Sequence, residues 1–154
     1  MEEIVRSFHK VEDDNMILFI AGNCSNSFRD EIMSACCNDN RVVVLGHRDS
    51  VAELYNITDY LIRGEKYQCI GRTIVEALFA GCSVLLPGTG PYQEFKGCLD
   101  RFSRKINFYP PGNFCSLKKL IAEHAGRKVT ERKYYSNVSE HVKALNMFLK
   151  EIVY

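Results

Sequence analysis

Short apolar runs recur along the chain, and the stretches between them carry apolar residues at helical spacing. Each run is about five residues long, rich in β-branched and aromatic residues, and bounded by turn residues such as Gly22, Gly46 and Pro87. Nearly continuous apolarity of this kind is typical of strands covered on both faces, which indicates a parallel sheet. The predicted strands cover residues 16–21, 41–45, 59–62, 82–86 and 105–109.

Helices are predicted before, between and after these strands. They cover residues 3–11, 27–37, 50–56, 73–80, 116–124 and 137–153. The helix over 50–56 opens with a capping-box pattern, in which Ser50 and Glu53 satisfy end amides reciprocally. The last helix has an apolar seam at alternating spacings of four and three, formed by Val138, Val142, Leu145, Leu149 and Ile152.

The alternation of strands and helices predicts an α/β fold with a doubly wound, mostly parallel, Rossmann-like sheet. With 154 residues the chain has the length of one domain, so we expect a single domain over 1–154 that ends in the long helix 137–153. In such folds ligands bind beyond the carboxyl ends of the strands.

Composition and charge narrow the function. Apolar residues make up 46% and charged residues 25% of the chain, which excludes disordered and low-complexity classes. The net charge of +1 argues against a general nucleic-acid binder, because phosphate neutralisation needs a basic excess.

The acidic N-terminus lacks the apolar region of a signal peptide, so a cytoplasmic location is expected. The seven cysteines are then expected to be reduced thiols, without zinc-ligand spacing.

A basic cluster near the C-terminus leaves two interpretations open. It consists of Arg127, Lys128, Arg132 and Lys133. One interpretation is the solvated face of a helix. The other is contact with an anionic ligand or with membrane headgroups, which would place the protein at the membrane periphery.

The most informative stretch is 60–88, where a helix is expected to start at Gly71 after a strand and a loop. The start of a helix offers unpaired amides and a partial positive charge, which together suit an anion. Gly71 allows close approach to the backbone, Arg72 adds a cationic fork, and Thr73 adds a hydroxyl. Glu76 lies one turn further on the face of Arg72. A carboxylate there can accept hydrogen bonds from ribose hydroxyls while phosphate occupies the helix end, as a nucleotide requires.

A purely structural explanation of the same residues stays open at this point. Arg72 and Glu76 are also an (i, i+4) ion pair, in the weaker orientation, on a surface helix. Gly71 alone could be a turn residue. The nucleotide hypothesis needs Glu76 to face a cavity, so burial of its carboxylate against neighbouring structure would count against it.

Several ordered segments resemble the donor-binding domain of GT-B glycosyltransferases, especially the family 4 group. The resemblance covers about 4–90 well and the remainder loosely. Its main segment reads Gly71-Arg-Thr-Ile-Val-Glu76-Ala-Leu-Phe-Ala-Gly81-Cys-Ser-Val84. The upstream segments are Ile17-Leu-Phe-Ile-Ala-Gly22, Arg41-Val-Val-Val-Leu-Gly46, Val51-Ala-Glu-Leu-Tyr55 and Thr58-Asp59.

The resemblance implies roles for individual residues. Glu76 matches the second carboxylate of the family's Glu…Glu pair and is implied to bind the donor ribose. The first position of that pair is Gln68, which can exchange hydrogen bonds with sugar hydroxyls but carries no charge. Other implied donor contacts are the amides around the motif glycine, at Ile70, Gly71 and Arg72; the residues after the third family strand, His47 and Arg48; and the turn residues Gly22 and Asn23.

The implied function is transfer of a sugar from a UDP- or GDP-type nucleotide sugar to a hydroxyl acceptor, as in polysaccharide biosynthesis. No metal and no further cofactor are expected, since side-chain cations and helix amides hold the diphosphate in this family.

The acceptor-binding half and the first donor-domain strand, with its diphosphate cations, have no counterpart in the sequence. A separate acceptor-binding chain or a homo-oligomer is therefore an expected partner. The alternatives are a non-catalytic nucleotide-sugar-binding or accessory subunit, and an unrelated doubly wound domain such as a flavodoxin-like regulator.

Overall fold

The structure is a computed structural model, and it describes residues 1–64, 71–90, 92, 100–126, 143 and 146. In chain order its elements are α1 (Glu2–His9), β1 (Leu18–Ala21), α2 (Asn26–Ala35), β2 (Val42–Gly46), α3 (Ala52–Ile57), β3 (Tyr60–Ile62), α4 (Arg72–Ala80), β4 (Ser83–Pro87), a 3₁₀ helix (Asp100–Lys105), β5 (Ile106–Tyr109) and α5 (Phe114–His124). The chain divides into a first unit, Met1–Asp49 with Gly112–Arg127, and a second unit, Ser50–Pro111 with Lys128–Tyr154. Along the described residues, no helix is long and apolar enough to span a membrane.

The first unit contains a two-stranded parallel sheet, β1–β2. Leu18 pairs with Val42, and the register shifts between Ile20 and Ala21. Helix α1 contacts both α2 and α5. It buries Ile4, Val5 and Phe8, whose spacing places them on one side of the helix.

Arg41 fastens the start of β2 to the segment that follows α1. Its Nη1 donates to the carbonyls of Val11 and Asp13 at 2.7 and 2.9 Å. Its Nη2 donates to Asp39 Oδ2 at 2.7 Å, and the guanidinium lies 5.2 Å from the centre of the Phe8 ring. These hydrogen bonds from Arg41 hold the pKa of Asp39 well below its usual range.

The second unit contains a three-stranded parallel sheet in the order β3-β4-β5. Tyr60 pairs with Ser83, and Val84 pairs with Ile106. Strand β4 is buried from Val84 to Pro87, as expected for the central strand of a parallel sheet. Its core residues pack with the buried side of α4; the two elements contribute Ile74, Val75, Ala77, Leu78, Ala80, Val84 and Leu86 to one cluster.

The structure confirms the α/β class with parallel sheets. All five predicted strands are present, as are the helices predicted up to 124, with ends that differ by a few residues. Helix α4 ends at Gly81, whose φ of 102° is left-handed and favours glycine. The predicted helix 137–153 lies outside the described residues apart from Lys143 and Asn146, which are both helical. The single-domain organisation over 1–154 stays a prediction.

The capping box predicted at Ser50 does not form. Helix α3 begins at Ala52 with Val51 in the cap position, and that cap makes no side-chain hydrogen bond. The Ser50 hydroxyl instead accepts from the amide of Ala52 at 3.3 Å. The serine therefore makes a short local turn, a known alternative use of this side chain, and the helix starts one residue later than the box requires.

Candidate functional site

The carboxyl end of β3 is held through Arg63 to its neighbour β4 and to β5, the outer strand on the other side of β4. The amide of Arg63 donates to the carbonyl of Leu85 at 3.0 Å, which extends the pairing with β4. The hydroxyl of Tyr109, at the end of β5, donates to the carbonyl of Arg63 at 2.6 Å. The backbone of residue 63 is thereby fixed at the edge of the sheet where ligands bind in doubly wound folds.

The side chain of Arg63 reaches the start of α4. Its Nη1 donates to Thr73 Oγ1 at 2.6 Å. A Cβ built at Gly71 would lie 3.2 Å from Arg63 Nη2 and 3.6 Å from its Cζ. Gly71 has φ −71° and ψ 144°, a backbone conformation open to any residue. A glycine is therefore favoured at 71 by the space that the guanidinium takes, not by the backbone.

Helix α4 starts without a side-chain cap. Gly71 occupies the N-cap position and has no side chain with which to accept from the first amides. The helix spans nine residues, so its first turn carries the positive end of the helix dipole. Two arginines lie at this end, Arg63 against Gly71 and Arg72 as the first helical residue. The amides and the two cations create a local environment that favours an anion.

Glu76 is buried in the second turn of α4, and both of its oxygens have internal partners. Arg72 Nε lies 2.8 Å from Oε1, and the Tyr55 hydroxyl donates to Oε2 at 3.3 Å. The Tyr55 oxygen also lies 3.3 Å from the carbonyl of Thr73. Burial away from water, together with the negative charge of Glu76, raises the pKa of Tyr55, so the phenol keeps its proton and can donate it.

The ion pair of Arg72 and Glu76 joins two side chains with very different exposure. The Arg72 side chain is 81% exposed, whereas that of Glu76 is 7% exposed. In this order along a helix an exposed (i, i+4) pair contributes at most about 0.2–0.5 kcal/mol. The Arg72 side chain can move into solvent, but its departure leaves the buried carboxylate of Glu76 without its charge partner, which costs more than opening an exposed pair unless a new partner binds.

The burial of Glu76 counts against the nucleotide hypothesis as the sequence framed it, because that hypothesis needs the carboxylate to face a cavity. A carboxylate facing an open cavity is not what the structure shows: Oε1 is covered by Arg72 and Oε2 by Tyr55. A carboxylate has about four lone-pair sites, so each oxygen can accept one more hydrogen bond.

The site residues predicted from the sequence fall into two groups, one in each unit of the chain. Gly71, Arg72, Thr73 and Glu76 lie together on α4 in the second unit, whereas Gln68 and Ile70 are outside the described residues. In the first unit Gly22 and Asn23 follow β1, and His47 and Arg48 follow β2. All four are exposed, and His47 Nε2 lies 3.4 Å from Asp49 Oδ1.

Sequence reasoning missed Arg63 and Tyr55. Arg63 is the first residue after the predicted strand 59–62, and a charged residue at a strand's carboxyl end was a usable signal. Tyr55 lies in one of the quoted family-like segments. Its contact with Glu76 joins residues 21 positions apart, and no local pattern shows such a contact.

Comparison with known proteins identifies the fold. No protein-family model matches the chain, and neither does any curated protein. Among solved structures, the chain is similar to HepE from Anabaena in complex with UDP, with a TM-score of 0.65 and 16% identity. A second HepE structure, in complex with UDP and glucose, gives a TM-score of 0.65 and 15% identity.

The likeness to HepE extends over 99% of this chain but only 44% of the HepE chain. At this level of identity the likeness establishes the fold, and it agrees with the Rossmann-like α/β class that the sequence predicted. The chain spans less than half the length of the neighbour that it matches.

Proposed function

We propose that this chain is a nucleotide-sugar donor-binding domain of a GT-B glycosyltransferase, corresponding to the C-terminal half of a family 4-like enzyme. One observation carries the proposal: a fixed arginine, Arg63, lies against the uncapped start of α4, one turn before the carboxylate of Glu76. The likeness to a structure of HepE with UDP supports it. The ligand is a UDP- or GDP-type nucleotide sugar.

The diphosphate binds at the start of α4. Arg63 supplies a cation from the end of β3, Arg72 supplies a second, and the amides after Gly71 donate to phosphate oxygens. The Thr73 hydroxyl accepts from Arg63, so its own proton stays available for a phosphate oxygen. Glu76, one turn along the helix, accepts from the ribose hydroxyls.

The remaining donor contacts follow the family resemblance. The resemblance assigns His47 and Arg48 to the base and Gly22 and Asn23 to the neighbourhood of the donor. It likewise assigns the amide of Ile70 to the phosphate and the side chain of Gln68 to the sugar, both outside the described residues. The uncharged Gln68 leaves Glu76 as the one carboxylate of the family's pair.

The reaction is transfer of the sugar to a hydroxyl acceptor, with the nucleoside diphosphate as the leaving group. The bond from the anomeric carbon to the diphosphate oxygen breaks, and the acceptor oxygen forms a new bond to that carbon. The proton of the acceptor hydroxyl passes to the departing nucleoside diphosphate or to solvent. Arg63, Arg72 and the amides of α4 stabilise the charge that develops on the diphosphate, without a metal ion. Because the chain spans 44% of HepE, the acceptor-binding half comes from further sequence or from a separate chain.

Isothermal titration calorimetry with UDP and GDP tests the donor-binding role. We expect the wild type to bind one of the two, and Glu76→Gln to bind it more weakly because a neutral amide is a weaker acceptor for ribose hydroxyls. Glu123→Gln, on the exposed side of α5, is the matched control and should leave the affinity unchanged. Failure of the wild type to bind either nucleotide contradicts the proposal.

A second candidate function is a non-catalytic, nucleotide-sugar-binding accessory subunit, and Gln68 favours it. Mass-spectrometric analysis of nucleotide sugars incubated with the chain distinguishes the two. Release of sugar from UDP- or GDP-sugar by the chain, alone or with a copurifying partner, supports the enzyme. Binding without turnover, and turnover by the complex that is unchanged by Gln68→Ala and Glu76→Gln, supports the accessory subunit.

A further inference from the structure

The state of Glu76 in this structure does not suit ribose binding, and this points to a change on ligand binding. Its side chain is 7% exposed, and one partner covers each oxygen. A ribose hydroxyl can reach Glu76 only where one of these partners leaves.

Arg72 is the partner that can leave. Tyr55 is buried, and its hydroxyl lies against both the Thr73 carbonyl and Glu76 Oε2. The side chain of Arg72 is 81% exposed, and Glu76 is the one hydrogen-bonding partner that the described residues give it. Movement of Arg72 therefore exposes Oε1 and leaves the hydrogen bond to Oε2 intact.

The position of Arg72 at the start of α4 makes a bound phosphate a better partner for its guanidinium than Glu76. Arg72 is the first residue of α4, so its guanidinium lies at the positive end of the helix dipole. That end of the dipole disfavours a cation and favours an anion. A phosphate at that end removes this penalty. It also offers the guanidinium a doubly charged acceptor with fork geometry in place of a single carboxylate oxygen.

We propose that Arg72 exchanges partners on binding, from Glu76 in the free protein to phosphate in the complex, and that this exchange makes the ribose contact depend on phosphate. The inference rests on the proposed function and adds a specificity determinant to it. A nucleoside without phosphate leaves Arg72 on Glu76 and therefore binds poorly. A nucleoside diphosphate moves Arg72 and frees Oε1 for a ribose hydroxyl.

Calorimetric titration with UDP and with uridine tests the exchange in the wild type and in Arg72→Ala. We expect UDP affinity to fall about tenfold or more in the variant, the loss of one charge-assisted hydrogen bond. Uridine affinity should stay the same or increase, because Oε1 is already uncovered. The ratio of UDP to uridine affinity thus falls at least about tenfold.

Two further variants control for structural effects. Arg6→Ala removes another (i, i+4) partner of a glutamate, Glu2, in an exposed pair, and should change neither affinity. Arg72→Lys keeps the charge without the fork and should recover part of the UDP affinity lost in Arg72→Ala. Thermal unfolding followed by circular dichroism verifies that each variant is folded.

The outcomes distinguish failure of the Arg72 exchange from failure of the proposed nucleotide binding. An equal loss of UDP and uridine affinity in Arg72→Ala identifies a merely structural partner of Glu76 and overturns the exchange. Unchanged UDP affinity in that variant overturns it too. Absence of UDP and GDP binding by the wild type overturns the proposed function, and the exchange with it. If Arg72→Ala unfolds, Arg72→Lys decides: an equal loss of UDP and uridine affinity in Arg72→Lys, or no loss of UDP affinity, overturns the exchange, and a loss confined to UDP supports it.

Discussion

The hydroxyl of Tyr109 donates to the carbonyl of Arg63 at 2.6 Å, across 46 positions of sequence. This hydrogen bond links the carboxyl ends of β5 and β3, which are the two outer strands of the three-stranded sheet. It sets the backbone of the residue whose side chain reaches the start of α4.

Tyr109→Phe should therefore weaken both stability and ligand binding. We expect the free energy of unfolding to fall by about 1 kcal/mol, the net contribution of one hydrogen bond, as measured by urea denaturation. UDP affinity should fall as well, because Arg63 loses one of its backbone anchors. A variant with wild-type affinity would mean that pairing with β4 alone positions Arg63.

Gly71→Ala should reduce binding without a matching loss of stability. The new methyl group lies 3.2 Å from Arg63 Nη2, so the end of the guanidinium must shift by a few tenths of an ångström, whereas the φ of −71° suits alanine. We expect about a tenfold loss of UDP affinity from the displaced cation. The free energy of unfolding should change by less than about 1 kcal/mol.

Gly90→Ala is the matched control for that substitution. A Cβ at position 90 meets nothing within 4 Å, so neither UDP affinity nor stability should fall. If Gly71→Ala binds UDP as tightly as Gly90→Ala does, the guanidinium of Arg63 is not needed at that position, and its role as a phosphate cation is wrong.

Asp39 should make the stability of the protein depend on pH in the acidic range. Hydrogen bonds from Arg41 lower the pKa of Asp39 in the folded state, below the value near 4 of an unfolded chain. The unfolded state thus binds more protons, and the contribution of Asp39 is complete above about pH 5. It is lost progressively as the pH falls through 4 towards the folded-state pKa.

Asp39→Asn should flatten this acid dependence and reduce stability at pH 7 by about 1–3 kcal/mol, since the partly buried Arg41 loses its charge partner. Urea denaturation between pH 2 and pH 7 measures both effects. Asp30→Asn, an exposed position on α2, is the control and should reproduce the wild-type profile. Equal slopes for the wild type and Asp39→Asn would contradict the assignment.

Chelation of divalent cations should leave UDP affinity unchanged. The proposed diphosphate site uses Arg63, Arg72 and the amides of α4, and these need no metal ion to attract an anion. Titrations with excess EDTA and with Mg²⁺ should give the same dissociation constant within about twofold. A strong requirement for Mg²⁺ would show that a metal carries the phosphate charge instead.

The strands were predictable because a buried parallel strand leaves a direct trace in the sequence. The run from Val84 to Leu86 is apolar at every position, as burial on both faces of β4 requires. Gly81 was predictable for a similar reason, since the end of α4 has a left-handed backbone that favours glycine. Both features depend on local chemistry alone.

The candidate site was predictable only in its local part. The four-residue spacing of Arg72 and Glu76 gave their ion pair, because helix geometry brings such residues together. The burial of Glu76 depends on Tyr55, and the position of Arg63 depends on Thr73 and Tyr109. Such contacts arise from the packing of distant segments. The capping box predicted at Ser50 shows the same limit at short range, because the serine hydroxyl accepts from the amide of Ala52 instead of from that of Glu53.

The space at residue 71 also has a consequence for sequence divergence. Arg63 and Gly71 constrain each other, because a Cβ at 71 would lie 3.2 Å from Arg63 Nη2 and the guanidinium would have to shift by a few tenths of an ångström. In relatives where position 63 carries a short side chain, position 71 should accept alanine or serine freely. Where an arginine is retained at 63, glycine at 71 should persist. The two positions should therefore covary, although the backbone conformation at 71 does not require glycine.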